Sequence, residues 1–519
     1  MIFTHILAVG ISCIALVSAF RLTRRRVYPL PLPPGPRPLP ILGNALQLDT
    51  KRPWLTYAAW GKAYGKIVYS SLLGIDMIII NSETVARELL DGRSAIYSDR
   101  PVIRTNDLTG MGFNTAFLQY GKTLQQHRKI YHQVLRAEVS VSYHEMYFHQ
   151  AGGLVLNLLT ATVADDLRKD IEMLVSISLI SYTASLLMAV TYGHTPGGGD
   201  EDPFLARALE LTSIITRVIT PEKAAIFTAF PFLEKLPTWC FGGWYALMGR
   251  TRELSQQLLN EPFNEVKKRM ADGTASRSLV ADFLSQADDE TDEDTMKAVA
   301  LTGYLAGIET TSAILHTFVL AMVLHPDVQA RARAEINQVV RHDKMPSIGD
   351  RASLPYLDAI LLEVLRWYPA SVLGVAHATS QDDVYDGYFI PKGALVVVNQ
   401  WALSRDEDVF PDASRFDPNR HLTIDGQLKD HVVNHFAFGH GRRICPGRWF
   451  AENAMWTAMV TILSVLRIDN AKDPNGHGIE IKPEFVAGAA SLHPKSFRCS
   501  FEIMNTAREG HLREVMNLT

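Results

Sequence analysis

Cysteine is scarce in this chain, with only Cys13, Cys240, Cys445 and Cys499 among 519 residues. Four such scattered residues exclude a disulfide framework and suit a reducing compartment, where a special cysteine serves chemistry. An excess of one charge is also missing. With 51 basic and 55 acidic residues the formal net charge is −4, which gives no sign of nucleic-acid binding. No internal repeat occurs. No complete Gly-x-Gly-x-x-Gly is present for a flavin or nicotinamide; FGHGRRI has Ile444 where the third glycine belongs. Electrons for any redox reaction must then come from outside the chain. Apolar residues are plentiful, at 47%, enough for a large buried core.

The first apolar run is Ile2–Phe20, uncharged apart from His5. At about 1.5 Å per helical residue it nearly spans a bilayer core of about 30 Å. Arg21, Arg24, Arg25 and Arg26 follow at once. A signal peptide carries its charges ahead of a shorter apolar run, so this order points to a retained anchor with the rest of the chain in the cytosol. Prolines crowd the next stretch, YPLPLPPGPRPLPILGN (28–44), and fix an extended, stiff spacer. The expected organisation is an anchor over 1–20, a basic and proline-rich hinge over 21–44, and one catalytic domain over 45–519.

Most of that domain reads as helix, with a smaller β region. KIVYSSLLGIDMIIINSE (66–83) suggests two strands around Gly74, and GALVVVNQW (393–401) a third. GHTPGGGDEDP (193–203) reads as a loop, and ADDETDEDT (287–295) as a solvated acidic run. The longest apolar segment, 296–326, has acidic residues at its start and a proline at its end, as a helix would. It could span a membrane or form the central helix of a globule. Gly307, Glu309, Thr310, Thr311 and Ser312 near its middle favour the globule, because an ionisable group at mid-membrane is costly.

The stretch Phe438–Gly447, FGHGRRICPG, places one cysteine among three glycines and two arginines, just before a long apolar helical pattern. Pro446 suits a first helical turn. The unpaired N–H groups of that turn point toward Cys445 and favour a thiolate. Gly439, Gly441 and Gly447 allow tight bends and close approach to a flat object, and Arg442 and Arg443 offer forked bonds to carboxylates. One thiolate, a flat neighbour and an anionic partner describe a haem. The bland alternative is a structural cysteine in a turn. Zinc is the other rival, since His431, His435 and His440 lie nearby, but there is no second cysteine close by. HEMYFH (144–149) spaces its histidines five apart, where a helical zinc motif needs four.

FGHGRRICPG resembles the haem-binding loop of the cytochrome P-450 family, Phe-x-x-Gly-x-x-x-Cys-x-Gly, with Phe438, Gly441, Cys445 and Gly447 at the fixed positions. AGIETT (306–311), EVLR (363–366) and FDPNRH (416–421) resemble three further family motifs in the same order. The resemblance covers the whole chain. It implies a mainly α fold with a smaller β region, behind a single transmembrane helix, and haem b (iron protoporphyrin IX) as cofactor. Cys445 would be the axial iron ligand, with Phe438, Gly439, Arg443 and Gly447 around the haem. Arg128 and His377 match basic positions on its propionates. Glu309 and Thr310 would hold water and pass protons to dioxygen. Glu363 and Arg366, three apart on a helix, can pair, and the resemblance adds Arg420 to a buried structural network. One departure stands out: Leu124 occupies the place of a tryptophan that reaches a propionate, leaving His127 or Gln125 to compensate.

The implied activity is monooxygenation of a hydrophobic small molecule such as a terpenoid or polyketide. Motif spelling resembles fungal secondary-metabolism members. The apolar segments 106–117, 303–310, 370–375 and 486–491 match the family's pocket walls. The implied partners are NADPH–cytochrome P-450 reductase, docking near Arg128, Lys129, Arg442 and Arg448, then cytochrome b5 and membrane lipid. The implied location is the endoplasmic reticulum membrane, facing the cytosol. A haem-thiolate isomerase or dehydratase would not need the Glu309–Thr310 pair, and a membrane haem carrier would need neither that pair nor a pocket.

Overall fold

The strand-forming runs on either side of Leu73–Gly74, IVYSSL and IDMIII, close a tight hairpin. Leu73 (φ 52°) and Gly74 (φ 84°) take the left-handed conformations that a two-residue turn requires. The computed structural model describes residues 28–40, 42–163, 171–194, 202–219, 227, 232, 235–236, 243–286, 292–429, 435–473, 475–487 and 491–517. The anchor and the arginines after it lie outside these residues, as do 195–201, 287–291 and 488–490 of the segments discussed above.

The chain folds as two units. Of the described residues, the first takes in those from 28 to 102, with 373–403 and 440–442. It contains helix α1 (Pro53–Tyr64) and strands β1 (Ile67–Leu72), β2 (Ile75–Ile80), β3 (His377–Ala378), β4 (Asp383–Tyr385), β5 (Tyr388–Ile390) and β6 (Leu395–Val398). The main sheet has the order β1-β2-β6-β3. β2 and β6 run parallel with Met77 opposite Leu395, while β1–β2 and β3–β6 are antiparallel. The third expected strand is therefore present but shorter, because the chain turns helical at Gln400. Tyr57, Val68, Met77, Ile79 and Val397 form a core between sheet and helix.

The described part of the proline-rich stretch does not stand free as a spacer. Tyr69 donates its N–H to Pro34 O at 3.0 Å and Phe389 donates to Pro31 O at 2.8 Å. Pro33 and Pro36 are buried. A side chain on Gly35 would lie 1.9 Å from the carbonyl oxygen of Tyr69, so glycine lets the segment sit directly on β1.

The second unit is mainly helical. Its long helices are α2 (Lys122–Leu135), α3 (His144–Val163), α4 (Ile171–Tyr192), α5 (Pro203–Val218), α6 (Gly243–Ala271), α7 (Glu293–Leu324), α8 (Pro326–Val339), α9 (Pro355–Trp367), α10 (Arg448–Val465) and α11 (Thr506–Asn517). Two small antiparallel pairs complete it: β7 (Leu466–Asn470) with β10 (Cys499–Ile503), and β8 (Phe485–Ala487) with β9 (Leu492–Pro494). The Asp292 side chain caps α7 through the N–H groups of Asp294 and Thr295, and Pro326 begins the next helix. Both α7 and α4 are long and apolar enough to cross a membrane. Instead they pack in the interior: Leu315, Phe318 and Val319 of α7 share one core with Leu179 and Leu186 of α4 and Trp456 and Met459 of α10. A second core joins the first half of α7 to α5 and α6 through Tyr304, Leu211 and Leu258.

Candidate active site

The cysteine loop is built by short-range hydrogen bonds ahead of α10. Phe436–Phe438 form one 3-10 turn, closed by Gly439 at φ 79°. Cys445 N–H then donates to Phe438 O at 2.8 Å. Helix α10 begins at Arg448 with Gly447 as its N-cap, so Pro446 lies before the cap and not in the first turn. Cys445 is thus two residues outside the cap, and the amide of Gly447 still reaches its sulfur. Burial pushes the thiol up from its ordinary range. The Gly447 amide and the charges of Arg128 and Arg448 oppose this without cancelling it.

The loop's glycines do different work. Gly441, at φ 62°, brings its α-carbon against the chain at Leu90, and an added Cβ would sit 2.0 Å from the Leu90 carbonyl oxygen. Gly447 has an ordinary φ of −91°, and a Cβ there would meet only a methyl of Leu135 at 3.9 Å. No contact within the described residues demands glycine at 447.

Arg443 donates to Leu118 O at 2.6 Å, and Arg448 to Cys445 O at 3.3 Å. Arg128, on α2, is half-buried and feels the charges of Cys445 and Arg448. It has no hydrogen bond or ion pair with any described residue. Desolvation lowers its pKa, a cost that a cation normally recovers from an anionic partner. Leu124 is buried on the same helix. His127 does not stand in for it through Nδ1, which meets Thr115 Oγ1 at 2.8 Å. Gln125 is exposed.

His377 is buried and not a surface histidine. Its Nδ1 lies 2.7 Å from the carbonyl oxygen of Tyr97, so this nitrogen carries the proton. Buried Arg100 donates to the carbonyls of Val375 and Ala376 at 2.6 and 2.8 Å and fixes the backbone just ahead of His377. Sequence reasoning overlooked Arg100, whose partners lie far away in the chain.

The middle of α7 presents two faces. Ala306 is exposed and Thr310 half-buried on one of them. Thr310 Oγ1 donates to Ala306 O at 2.8 Å, leaving its lone pairs available to accept. Gly303 and Gly307 flank this face as packing notches: a Cβ at 303 would be 3.3 Å from the Tyr131 ring, and one at 307 only 2.7 Å from Leu187. Glu309 belongs to the neighbouring face, where its Oε1 accepts from Ser491 at 2.9 Å. The expected carboxylate and hydroxyl are therefore adjacent in sequence but not hydrogen-bonded to each other. The 106–117 wall meets α7 where Thr115 N–H donates to Thr302 Oγ1 at 3.2 Å.

Glu363, Arg366 and Arg420 come together, and His421, which sequence reasoning did not single out, joins them. Arg366 donates to both Glu363 oxygens at 2.7 and 2.8 Å, Arg420 at 3.1 Å, and His421 Nε2 lies at 3.0 Å. Arg366 also holds the carbonyls of Ser404, Ala413 and Arg415. Glu363 and Arg366 are 0% exposed, so this is no surface pair. Burial would raise the Glu363 pKa, but bonds and charges from Arg366 and His421 hold it down at about 2. Asn419 pairs with Arg331 at 2.6 Å and stays outside the cluster.

This donor set fits a haem. The loop offers a thiol with a backbone donor at its sulfur, and the half-buried arginine beside it has no ion pair among the described residues. The family model for cytochrome P-450 matches residues 33–499. Similar curated proteins include the cytochrome P-450 monooxygenases eriA of Hericium erinaceus and COX1 of Coprinopsis cinerea, each 34% identical. The first alignment covers 93% of this chain and 91% of the relative, the second 93% of both. The cytochrome P-450 monooxygenase claR of Ampulloclitocybe clavipes is 33% identical over 98% of this chain and 92% of its own. Since the likeness runs nearly end to end in both partners of each alignment, the chain belongs to the cytochrome P-450 family and is a haem-dependent monooxygenase.

Proposed function

We propose that this enzyme is anchored by residues 1–20 in the endoplasmic reticulum membrane, facing the cytosol, and oxidises a hydrophobic small molecule of secondary metabolism, of terpenoid or polyketide type. Electrons reach it from NADPH through a separate reductase, with cytochrome b5 as a further donor. The observation that carries the reading is the Cys445 loop, where a thiol with a backbone donor stands beside Arg128, a cation with no anionic side chain bonded to it among the described residues. Similarity to fungal monooxygenases supports the chemistry. The apolar character of Phe113 and Phe117, both half-buried, supports an apolar substrate.

Haem supplies the iron centre that activates dioxygen with two electrons. In this assignment Cys445 would hold the iron as thiolate, and Phe438, Gly439 and Gly447 would shape the loop against the ring. Arg128 and Arg443 would hold the propionates; the family resemblance gives His377 the same role, which its Nε2 could fill only as an imidazolium, because Nδ1 is committed to Tyr97. Thr310, its proton donated to Ala306 O, accepts from a water and orients it. Glu309 provides the exchangeable proton. Glu363, Arg366 and Arg420 keep the segment leading to the loop in register.

The test reconstitutes the full chain with a reductase, NADPH and isotopically heavy dioxygen, and screens terpenoids, polyketides, fatty acids and indoles by product mass. One heavy oxygen in a product is the expected result. Product formation without NADPH or reductase would overturn the reading.

A further inference from the structure

Glu309 turns, with Ser312, Ala313 and His316, into a cavity of about 620 Å³. Offsets of three, four and seven place these residues on one helical face. Helix α4 supplies another wall through Ser176 and Ile180. Ser491, His493 and Lys495 supply the third, at the two-residue spacing that keeps side chains on one side of an extended strand. Exposure increases along that strand: Ser491 is buried, His493 half-buried and Lys495 exposed. Ser491 donates to Glu309 Oε1 at 2.9 Å, and Lys495 pairs with Glu484 at 2.6 Å. Polar groups thus lead from the surface to a carboxylate on the central helix. The space is wide enough for water, which needs only about 10–15 Å³ of such volume per molecule.

The titratable groups on the cavity are Glu309 and His316 of α7, with His493 and Lys495 on the strand side, while α4 contributes the hydroxyl of Ser176. Burial lowers His316 to about 4, so it is neutral near pH 7, stacked on Phe497 at 5.2 Å. Burial lowers His493 too, against the opposing pull of the Glu309 charge.

We propose that Ser491 and His493 are positioning residues for Glu309, holding its carboxyl at the inner end of a water-filled inlet and resupplying the proton it gives up. This rests on the reading of Glu309 as a proton donor. When Glu309 releases a proton inward, the Ser491 hydroxyl passes its own to Oε1 and takes one from cavity water, which the His493 imidazolium replenishes. His493 is recharged from solvent. One proton enters from bulk for each one delivered, the side chains return to their starting states, and no electron moves.

Two measurements test this on the haem-loaded full chain, and neither requires the substrate. In ¹⁵N-histidine NMR, with the resonance assigned through His493→Gln, the His493 pKa is expected to fall in Glu309→Gln, which removes the charge that raises it. In reductase-driven NADPH oxidation without substrate, Ser491→Ala and His493→Gln are expected to slow the rate by up to about tenfold and enlarge the solvent isotope effect, with Ser491→Thr restoring both. Haem content confirms folding in each variant. An unmoved His493 titration in Glu309→Gln overturns the inlet, as do wild-type rate and isotope effect in both Ser491→Ala and His493→Gln. If the wild type oxidises no NADPH, the proposed function fails, while the NMR measurement still judges the inlet.

Discussion

Arg128 holds a positive charge beside a thiol with no anion among the described residues to answer it. A charge-assisted hydrogen bond to a carboxylate is worth about 1.5–3 kcal/mol. Arg128→Ala should therefore weaken haem retention roughly ten- to a hundredfold, read by haem loss to an excess of apo-acceptor protein, and Arg128→Lys should recover part of it. Thr310 makes a different claim. Thr310→Ala should keep haem but lower product per NADPH by about tenfold and raise peroxide, while Thr310→Ser, which keeps the hydroxyl, should retain coupling. Cys445, Arg128 and Thr310 were legible in the sequence because each sits in a short local pattern. Ser491, Arg100 and His421 were not, because their partners are Glu309, the carbonyls of Val375 and Ala376, and Glu363, all far along the chain. Sequence also suggested that Glu309 and Thr310 act on one spot. Helical geometry, which turns about 100° per residue, sends them to neighbouring faces.

At the scale of elements, α9 and the 404–421 segment depend on one carboxylate. Removing the charge of Glu363 would leave Arg366 buried without its counter-ion, a loss of about 3–5 kcal/mol. Glu363→Gln should give little soluble, haem-loaded enzyme, measured as haem per folded chain. The same group sets an acid limit. Its folded pKa of about 2 lies below its unfolded value, so its stabilisation is complete above the ordinary glutamate range and is lost as pH falls toward 2. His316 adds to this in the same direction: held neutral down to about 4, it favours the unfolded chain as pH drops below its ordinary value of about 6.5. Thermal unfolding midpoints should decline through this acid window, and less steeply in His316→Phe. Helix α4 was hidden from sequence analysis because it is apolar on all sides and carries no periodic stripe. The hairpin of β1 and β2 was plain, since two runs rich in isoleucine, valine and tyrosine flank Gly74.

For the molecule as a whole, the globule already includes the described residues from 28 to 40, which sit on β1. A chain beginning at residue 28 should fold, bind haem and stay in the supernatant after alkaline carbonate, while the full chain stays with the membrane. A chain beginning at residue 45 should lose a few kcal/mol, because the bonds to Pro31 and Pro34 and the burial of Pro33 and Pro36 are lost. Haem content at rising temperature distinguishes the two truncations. Composition indicated a stiff proline segment, but composition alone has no means of showing that β1 would accept it as a neighbour.

The parallel pairing of β2 with β6 has a consequence for synthesis. Ile80 and Val398 are partners, yet at about 5–20 residues per second the ribosome separates them by tens of seconds. For that interval the apolar strand Ile75–Ile80 has one edge of unpaired amides and carbonyls. The newborn chain is therefore most prone to aggregate early, at its first hairpin. Slower growth temperatures or a chaperone bound at that edge would raise the yield of soluble enzyme more than any change near the haem loop.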